Sequence, residues 1–519
     1  MHSGVVLKPL ATGCSVTAVP DDSGNEHKRH IVHVAAPDID GVYVPFVHHD
    51  CVHNEEMAIH NRICGQVPIP TDAGMSALKK GIDLIIHHLP KTEQEPLGHF
   101  AERYPPKKRS RYMAAVQNIL DNGLTRKDAR VTMFIKPEKM SPSKKNPDPR
   151  AIQFRDPRYC VMLASYLKPI EEHLYRLRID HPLLSKTRLI GKGLNQVERA
   201  STLSKKMSRF THPSVVSLDA SRFDQHVDKR QLEEEHRVYT NCNNDPYFAQ
   251  ILSWQLRNYC YSRLGFRYVT KGKRMSGDMN TALGNCILMV AMVLGFMIPR
   301  GKQFDIFDDG DDCLLIVEKS DLDSVLEDLP PFFIGYGHEM KIENIAFTLE
   351  SVTWCQSQPI NTLRGWKFVR NPHKVMSTAL VGQRWLGVPG KIRREYLAGL
   401  AECELILNLG VPVLQEYALA LARNSSGAKV RHDDSSGEWF RYLRESKLYR
   451  KAASGVHSDE ITDDARLTFA QAFGIDIPTQ YDIEYKLANW NFQVDTTTHS
   501  GLSWDPITWV NDRPLTEFQ

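Results

Sequence analysis

The 519 residues contain no internal repeat and no low-complexity block, which excludes solenoid and fibrous architectures. Ten cysteines are scattered without a Cys-x2-Cys pair. A zinc ribbon or disulfide scaffold is therefore excluded, and reduced, mostly buried thiols are expected. Long hydrophobic runs are missing too: the longest, Cys286 to Pro299, falls short of the ~20 residues that cross a bilayer. Residues 1–30 are polar and histidine-bearing and lack the apolar core of a secretory signal. A cytosolic setting is the expectation. Net charge is only +3, which argues against indiscriminate binding to polyanions.

What is present suits a large soluble enzyme of about three lobes, since 42% of residues are hydrophobic and 24% charged. The charge is unevenly spread. From Arg103 to Arg158 there are 15 Lys plus Arg against 5 Asp plus Glu, a balance of +10 that leaves −7 for the remainder. Such a basic segment in an otherwise acidic chain predicts an electrostatic track for phosphates, the alternative being a solvated basic surface. A second cluster, His48, His49, Cys51, His53, His60 and Cys64, has a spacing that fits no common zinc pattern. A helix with incidental histidines is expected there.

Three segments carry chemistry. Residues 304–317, Phe-Asp-Ile-Phe-Asp-Asp-Gly-Asp-Asp-Cys-Leu-Leu-Ile-Val, predict a β-hairpin with Asp311 and Asp312 at its tip. Carboxylates that close repel each other unless a cation lies between them, and all-oxygen ligation suits Mg2+. By itself an acidic turn is equally a solvated loop. Upstream, Ser214 to Leu218 reads as a strand ending at Asp219, with a second carboxylate at Asp224; alone, Asp219 is equally a cap. A strand carrying Asp219 beside the hairpin would bring Asp219 and Asp311 to one locus, as in two-metal phosphoryl transfer, where the ions sit about 3.5–4 Å apart. Between them, Met275-Ser-Gly-Asp-Met-Asn-Thr-Ala-Leu-Gly-Asn285 reads as a small-residue turn opening a buried helix. Ser276, Thr281 and Asn285 offer hydroxyl and amide groups suited to a sugar, or to ordinary helix capping.

In the order Asp-x4-Asp, Ser-Gly-x3-Thr-x3-Asn, Gly-Asp-Asp, these segments resemble the palm of viral RNA-dependent RNA polymerases. Outside them, Ile135-Lys-Pro-Glu-Lys139, Arg150 through Tyr159, Trp354-Cys-Gln-Ser-Gln-Pro359, and Ala465 through Gly474 with Gln480 and Glu484 are similar to polymerases of the tombusvirus family and its relatives. The likeness spans roughly residues 45 to 490. It departs at Trp354, where Phe is expected, and in lacking a membrane-anchored leader.

The resemblance implies an α+β right-hand polymerase with an antiparallel palm sheet and helix-rich fingers and thumb. Residues 1–64 would be an N-terminal extension contacting fingers and thumb, 65–213 fingers, 214–228 palm, 229–275 fingers, 276–375 palm, and 376–519 thumb and C-terminal region. From about 376 the chain reads as mostly helical, with an amphipathic stretch from Arg393 to Leu409 and loops at Ser425–Gly427 and Asp433–Gly437. Asp219, Asp311 and Asp312 would hold two Mg2+ ions, Mn2+ being able to substitute. Asp224, Ser276, Gly277, Thr281 and Asn285 would surround the ribose, and Arg155, Arg158, Lys136 and Lys139 the triphosphate. Lys341 would protonate the leaving pyrophosphate, unless it is merely a surface lysine at a strand edge. Arg150, Trp354, Cys355, Gln356 and Ser357 would touch RNA, with Trp366, Lys367 and Arg370 as further contacts. The implied partners are a single-stranded viral RNA template, its product duplex, nucleoside triphosphates and a viral auxiliary protein that recruits the chain to membrane-associated replication complexes in the host cytoplasm; initiation is expected to be de novo. A reverse transcriptase and a non-enzymatic RNA-binding or capsid-like protein are the rival readings. The Asp224/Asn285 pairing and three ordered acidic motifs weigh against them.

Overall fold

The computed structural model describes residues 7–20, 30–144, 147–382, 385, 388–432, 458–494, 506–510 and 513–514; the loop expected at Asp433–Gly437 lies outside them. Helices and largely antiparallel sheets are mixed along the chain, an α+β architecture. At its centre, four antiparallel strands lie in the order Met340–Ala346, Pro213–Ala220, Asp312–Glu318, Phe304–Asp308. The two middle strands read as nearly unbroken apolar runs because both faces of the sheet are covered. Val216, Leu218, Leu315 and Val317 point into the main core; Val215, Leu314 and Ile316 point the other way, onto Leu203, Trp354 and Phe368.

Helix Thr281–Met297 fills the main core and is apolar all round, as a fully buried helix must be. It begins before the apolar run and continues as a short 3-10 turn, so Thr281–Arg300 reaches 20 residues and is, by length and composition alone, sufficient to cross a membrane. The sequence expectation of a segment too short to span is corrected on that point, yet here the helix is core. Helix Asp72–His87 presses so close that a Cβ on Gly81 would strike the Ala291 backbone, and one on Gly295 the Ala77 backbone.

A five-stranded sheet runs Cys14–Ala18, Arg267–Lys271, Arg257–Ser262, Val131–Ile135, Ala151–Arg155. Helix-rich fingers were expected over 65–213 and 229–275. Strands form instead because alternate residues, Val131, Met133 and Ile135 among them, face an apolar cluster shared with Tyr268 and Phe266. Helices Gly390–Leu407, Leu414–Asn424, Asp463–Phe473 and Ile477–Ala488 pack in a separate apolar cluster around Trp385, Tyr417 and Phe469. Beside them, His30–His33 joins Val381–Gly382 and Pro506–Val510 in a small sheet that sequence patterning did not reveal. No disulfide links any of the ten cysteines.

Candidate active site

The predicted hairpin is present with one shift. Asp309, Gly310 and Asp311 make the turn, and Asp312 begins the returning strand. Gly310 has φ +102, a backbone shape that L side chains resist. Ala220 N donates to Asp311 O at 3.3 Å, tying the turn to the end of the neighbouring strand. Asp312 is in register with Asp219, and Asp219 with Lys341 on its other side. Opposed residues of antiparallel strands share a face, so Asp312, Asp219 and Lys341 form a row with Asp311 at its edge. Burial and then the Asp311 charge raise the Asp219 carboxyl above its ordinary value, while Lys341 and Arg150 pull it back. Burial, reinforced by Asp311 and Asp219, pushes Asp312 up to about 7. A divalent cation would relieve that repulsion.

Asp219 and Asp311 open on a cavity of about 600 Å3 lined by charges of both signs, which Asp312 and Lys341 do not line. Its cations include Arg62, Lys136, Arg150, Lys192, Arg222 and Lys273. Burial, then the nearby charges of Arg150 and Arg222, lower the Arg62 guanidinium to about 10. Cations crowded in this way favour an anion beside the carboxylates.

Asp224, on the short helix Phe223–His226, meets Asn285 there: Asn285 Nδ2 donates to Asp224 Oδ1 at 3.0 Å. Ser276 and Thr281 also line the cavity, where their hydroxyls tie the loop. Ser276 Oγ donates to Ala151 O at 3.0 Å and accepts from Gln153 N at 3.0 Å, and Thr281 Oγ1 donates to Met275 O at 2.6 Å. Gly277 N donates to Gln153 O at 2.7 Å, and a Cβ at Gly277 would clash with that oxygen.

The basic segment divides. Lys136, expected at the triphosphate, and Arg150, expected at RNA, both line the cavity. Arg155 and Arg158 do not line it. Arg155 is buried, with Nε and Nη2 on the Asp278 carboxylate at 2.5 and 2.9 Å and Nη1 on Ala129 O at 2.5 Å. Arg158 pairs with Asp128 at 2.6 Å, and Lys139 donates to Thr378 O at 2.7 Å. In the Trp354–Ser357 turn the expected RNA contacts are corrected at the two buried ends. Trp354 and Ser357 are buried; the indole packs on Phe307 at 4.5 Å and Nε1 donates to Asp312 O at 3.1 Å. Cys355 Sγ donates to Asp309 Oδ2 at 3.3 Å, and Gln356 accepts from Lys374. The turn braces the hairpin from behind. Lys367 is buried, Trp366 packs on the same apolar cluster, and Arg370 pairs with Glu404 at 2.5 Å.

Two supports left no mark in the sequence. Lys192 and Arg199 hold Asp309 at 2.5 and 2.6 Å, and a Glu235–Arg274 ion pair stands behind Asn285. Among the described residues, no three His, Cys, Asp or Glu converge as a metal cage, the histidine-rich stretch around helix Val52–Ala58 included.

Asp219, at the end of a central strand, and Asp311, in the adjoining turn, thus share one cavity with a set of cations. The family of viral RNA-dependent RNA polymerases matches residues 27–495, and the chain belongs to it. It is 35% identical over 387 residues to the RNA-directed RNA polymerase of Groundnut rosette virus (strain MC1), covering 73% of this chain and 44% of that protein. Identity is 37% over 387 residues to the RNA-directed RNA polymerase of Turnip crinkle virus, covering 72% and 48%. For that of Pothos latent virus (isolate Pigeonpea/India) it is 38% over 395 residues, covering 75% and 51%. The chain spans about half the length of these curated relatives.

Proposed function

We propose that the chain is an RNA-directed RNA polymerase unit that joins a nucleoside triphosphate to RNA on a single-stranded RNA template. The observation that carries this reading is that Asp219 and Asp311 line one cavity with the Asp224–Asn285 pair, while Asp312 and Lys341 stand in register on either side of Asp219. In the reaction the 3′-hydroxyl of the growing strand attacks the α-phosphate and pyrophosphate leaves. Asp219 and Asp311 would hold two Mg2+ ions, with Asp312 supporting them from beside; when bound, the ions offset charge on the attacking and leaving oxygens. Arg62, Lys136 and Arg150 orient the triphosphate, and Asp224 with Asn285 reads the ribose 2′-hydroxyl. Lys341 gives a proton to the departing pyrophosphate. On this reading the four-stranded sheet is the palm of a right hand, the five-stranded sheet belongs to the fingers and the C-terminal helical cluster is the thumb. An auxiliary viral protein recruits the chain to membrane-associated replication sites in the host cytoplasm, and synthesis starts de novo.

The test is incorporation of labelled nucleotide on a primer-free single-stranded RNA template with Mg2+, comparing the chain with Asp311→Ala. Full-length product from the former alone is expected. Silence from both, persisting on a primed template with Mn2+, would favour an RNA-binding protein.

A further inference from the structure

Asn285 can read a sugar reliably only if its amide is held one way round, because oxygen and nitrogen exchange places on rotation. Arg274 Nε donates to Asn285 Oδ1 at 3.0 Å. A guanidinium has no acceptor, so it can face only the amide oxygen, and Nδ2 is thereby turned toward Asp224. Arg274 is itself immobilised. Its Nη1 donates to Glu235 Oε1 at 3.0 Å and its Nη2 to Oε2. Glu235 Oε1 also accepts from Tyr239 Oη at 2.7 Å and Asn280 Nδ2 at 2.8 Å. Both members of the ion pair are buried, and a Cβ on Gly284 would collide with each of them. Burial raises the Asp224 carboxyl above its ordinary value, and the Asn285 hydrogen bond and the Arg274 charge offset this only in part. A buried ion pair seldom stabilises a fold better than apolar residues of the same volume. This pair calls for another role.

We infer that Glu235 and Arg274 are positioning residues for sugar selection: they lock the Asn285 amide, so that Asp224 and Asn285 present one fixed pattern of donors and acceptors to the ribose 2′-hydroxyl. The inference rests on the polymerase reading above and extends it to two residues behind the cavity wall. Lysine at position 274 keeps the charge but not the rigid fork, and glutamine at 235 keeps the shape but not the charge.

The experiment measures the ratio of kcat/KM for ATP to that for dATP in Arg274→Lys and Glu235→Gln, with melting temperatures recorded alongside. The ratio is expected to fall about tenfold in each, since a site built to hydrogen-bond a hydroxyl rejects its absence only while that geometry holds. Adding Arg274→Lys to Asn285→Ala should leave the ratio where Asn285→Ala alone puts it, because the pair acts through that amide. Unchanged ratios in the single variants, or an equal further drop in the double variant, would overturn the inference. Equilibrium binding of ATP and dATP with Mg2+ supplies a readout that needs no turnover, and Glu235→Gln suffices if Arg274→Lys does not fold. Weakened preference for ATP in the variant supports positioning; equal preference in both proteins overturns it. If the unaltered chain prefers ATP yet makes no RNA, the polymerase reading fails while the positioning of Asn285 stands.

Discussion

Four aspartates flank Gly310, two on each side, and the pairs live in opposite surroundings. Asp308 is buried, and burial raises its carboxyl well above the usual range while it accepts from Gly310 N at 3.1 Å. Asp309 is also desolvated, yet Arg199 and Lys192 outweigh that and hold it below its ordinary value. On the far side Asp311 is exposed and Asp312 is only partly buried, and among the described residues neither forms an ion pair with Lys or Arg. Charges that the protein neutralises with its own groups are scaffold. On the proposed reading those left facing one another would take a ligand from outside, and the difference separates residues of the same type two positions apart.

The sharpest way to break this comparison is to remove one charge from each side. Asp311→Asn should lower nucleotide incorporation about thousandfold, the scale of several kcal/mol that metal-assisted charge stabilisation supplies. Its melting temperature should hold or rise, because a repelling charge has gone. Asp309→Asn should do the reverse to the fold, leaving two cations without their partner at a cost of about 3–5 kcal/mol in a urea titration. If the two variants lose equal stability, the distinction between scaffold and ligand carboxylates collapses. A smaller effect sharpens the same line: Trp354→Phe removes the indole donor to Asp312 O and should cost about 1–2 kcal/mol. RNA affinity of the folded variant, measured by fluorescence anisotropy, should not change; a marked loss would restore Trp354 to the RNA contacts.

Local patterns carried much of this in the sequence. The strand ending near Asp219, the Gly-Asp-Asp hairpin and the buried helix after Ser276 each follow from short-range periodicity and turn chemistry. Long-range partners do not. Lys192 meets Asp309 across 117 positions, and Arg274 meets Glu235 across 39, and no window of sequence links them. The basic run from Arg103 to Arg158 was legible as charge but not as destination. Arg155 faces inward because Asp278, 123 positions away, waits there, while Arg150, just outside the strand, stays on the cavity. Trp354 misled for a similar reason: an aromatic in a turn can stack on a base or brace a hairpin, and only Phe307 and Gly191 packed against it decide the matter.

The mildest prediction uses pH on the metal-free protein. Asp312 in the folded chain keeps its proton up to about 7, whereas an unfolded aspartate releases it near ~3.9. Between those values the folded state binds more protons than the unfolded one, so stability must fall as pH rises through the window. Asp219, also raised, acts in the same sense. Buried His226 and His338, both lowered, act oppositely as pH falls, so the informative quantity is the difference between the native chain and Asp312→Asn. With a chelator present, that difference in urea midpoint should move against the native chain from pH 5 to 7.5. Mg2+ should reverse it at the upper end, because an ion that binds only the folded, ionised carboxylates stabilises them by mass action. A difference that stays flat without Mg2+ would mean that Asp312 is not strained by its neighbours, and the contrast across Gly310 would then rest on Asp309 alone.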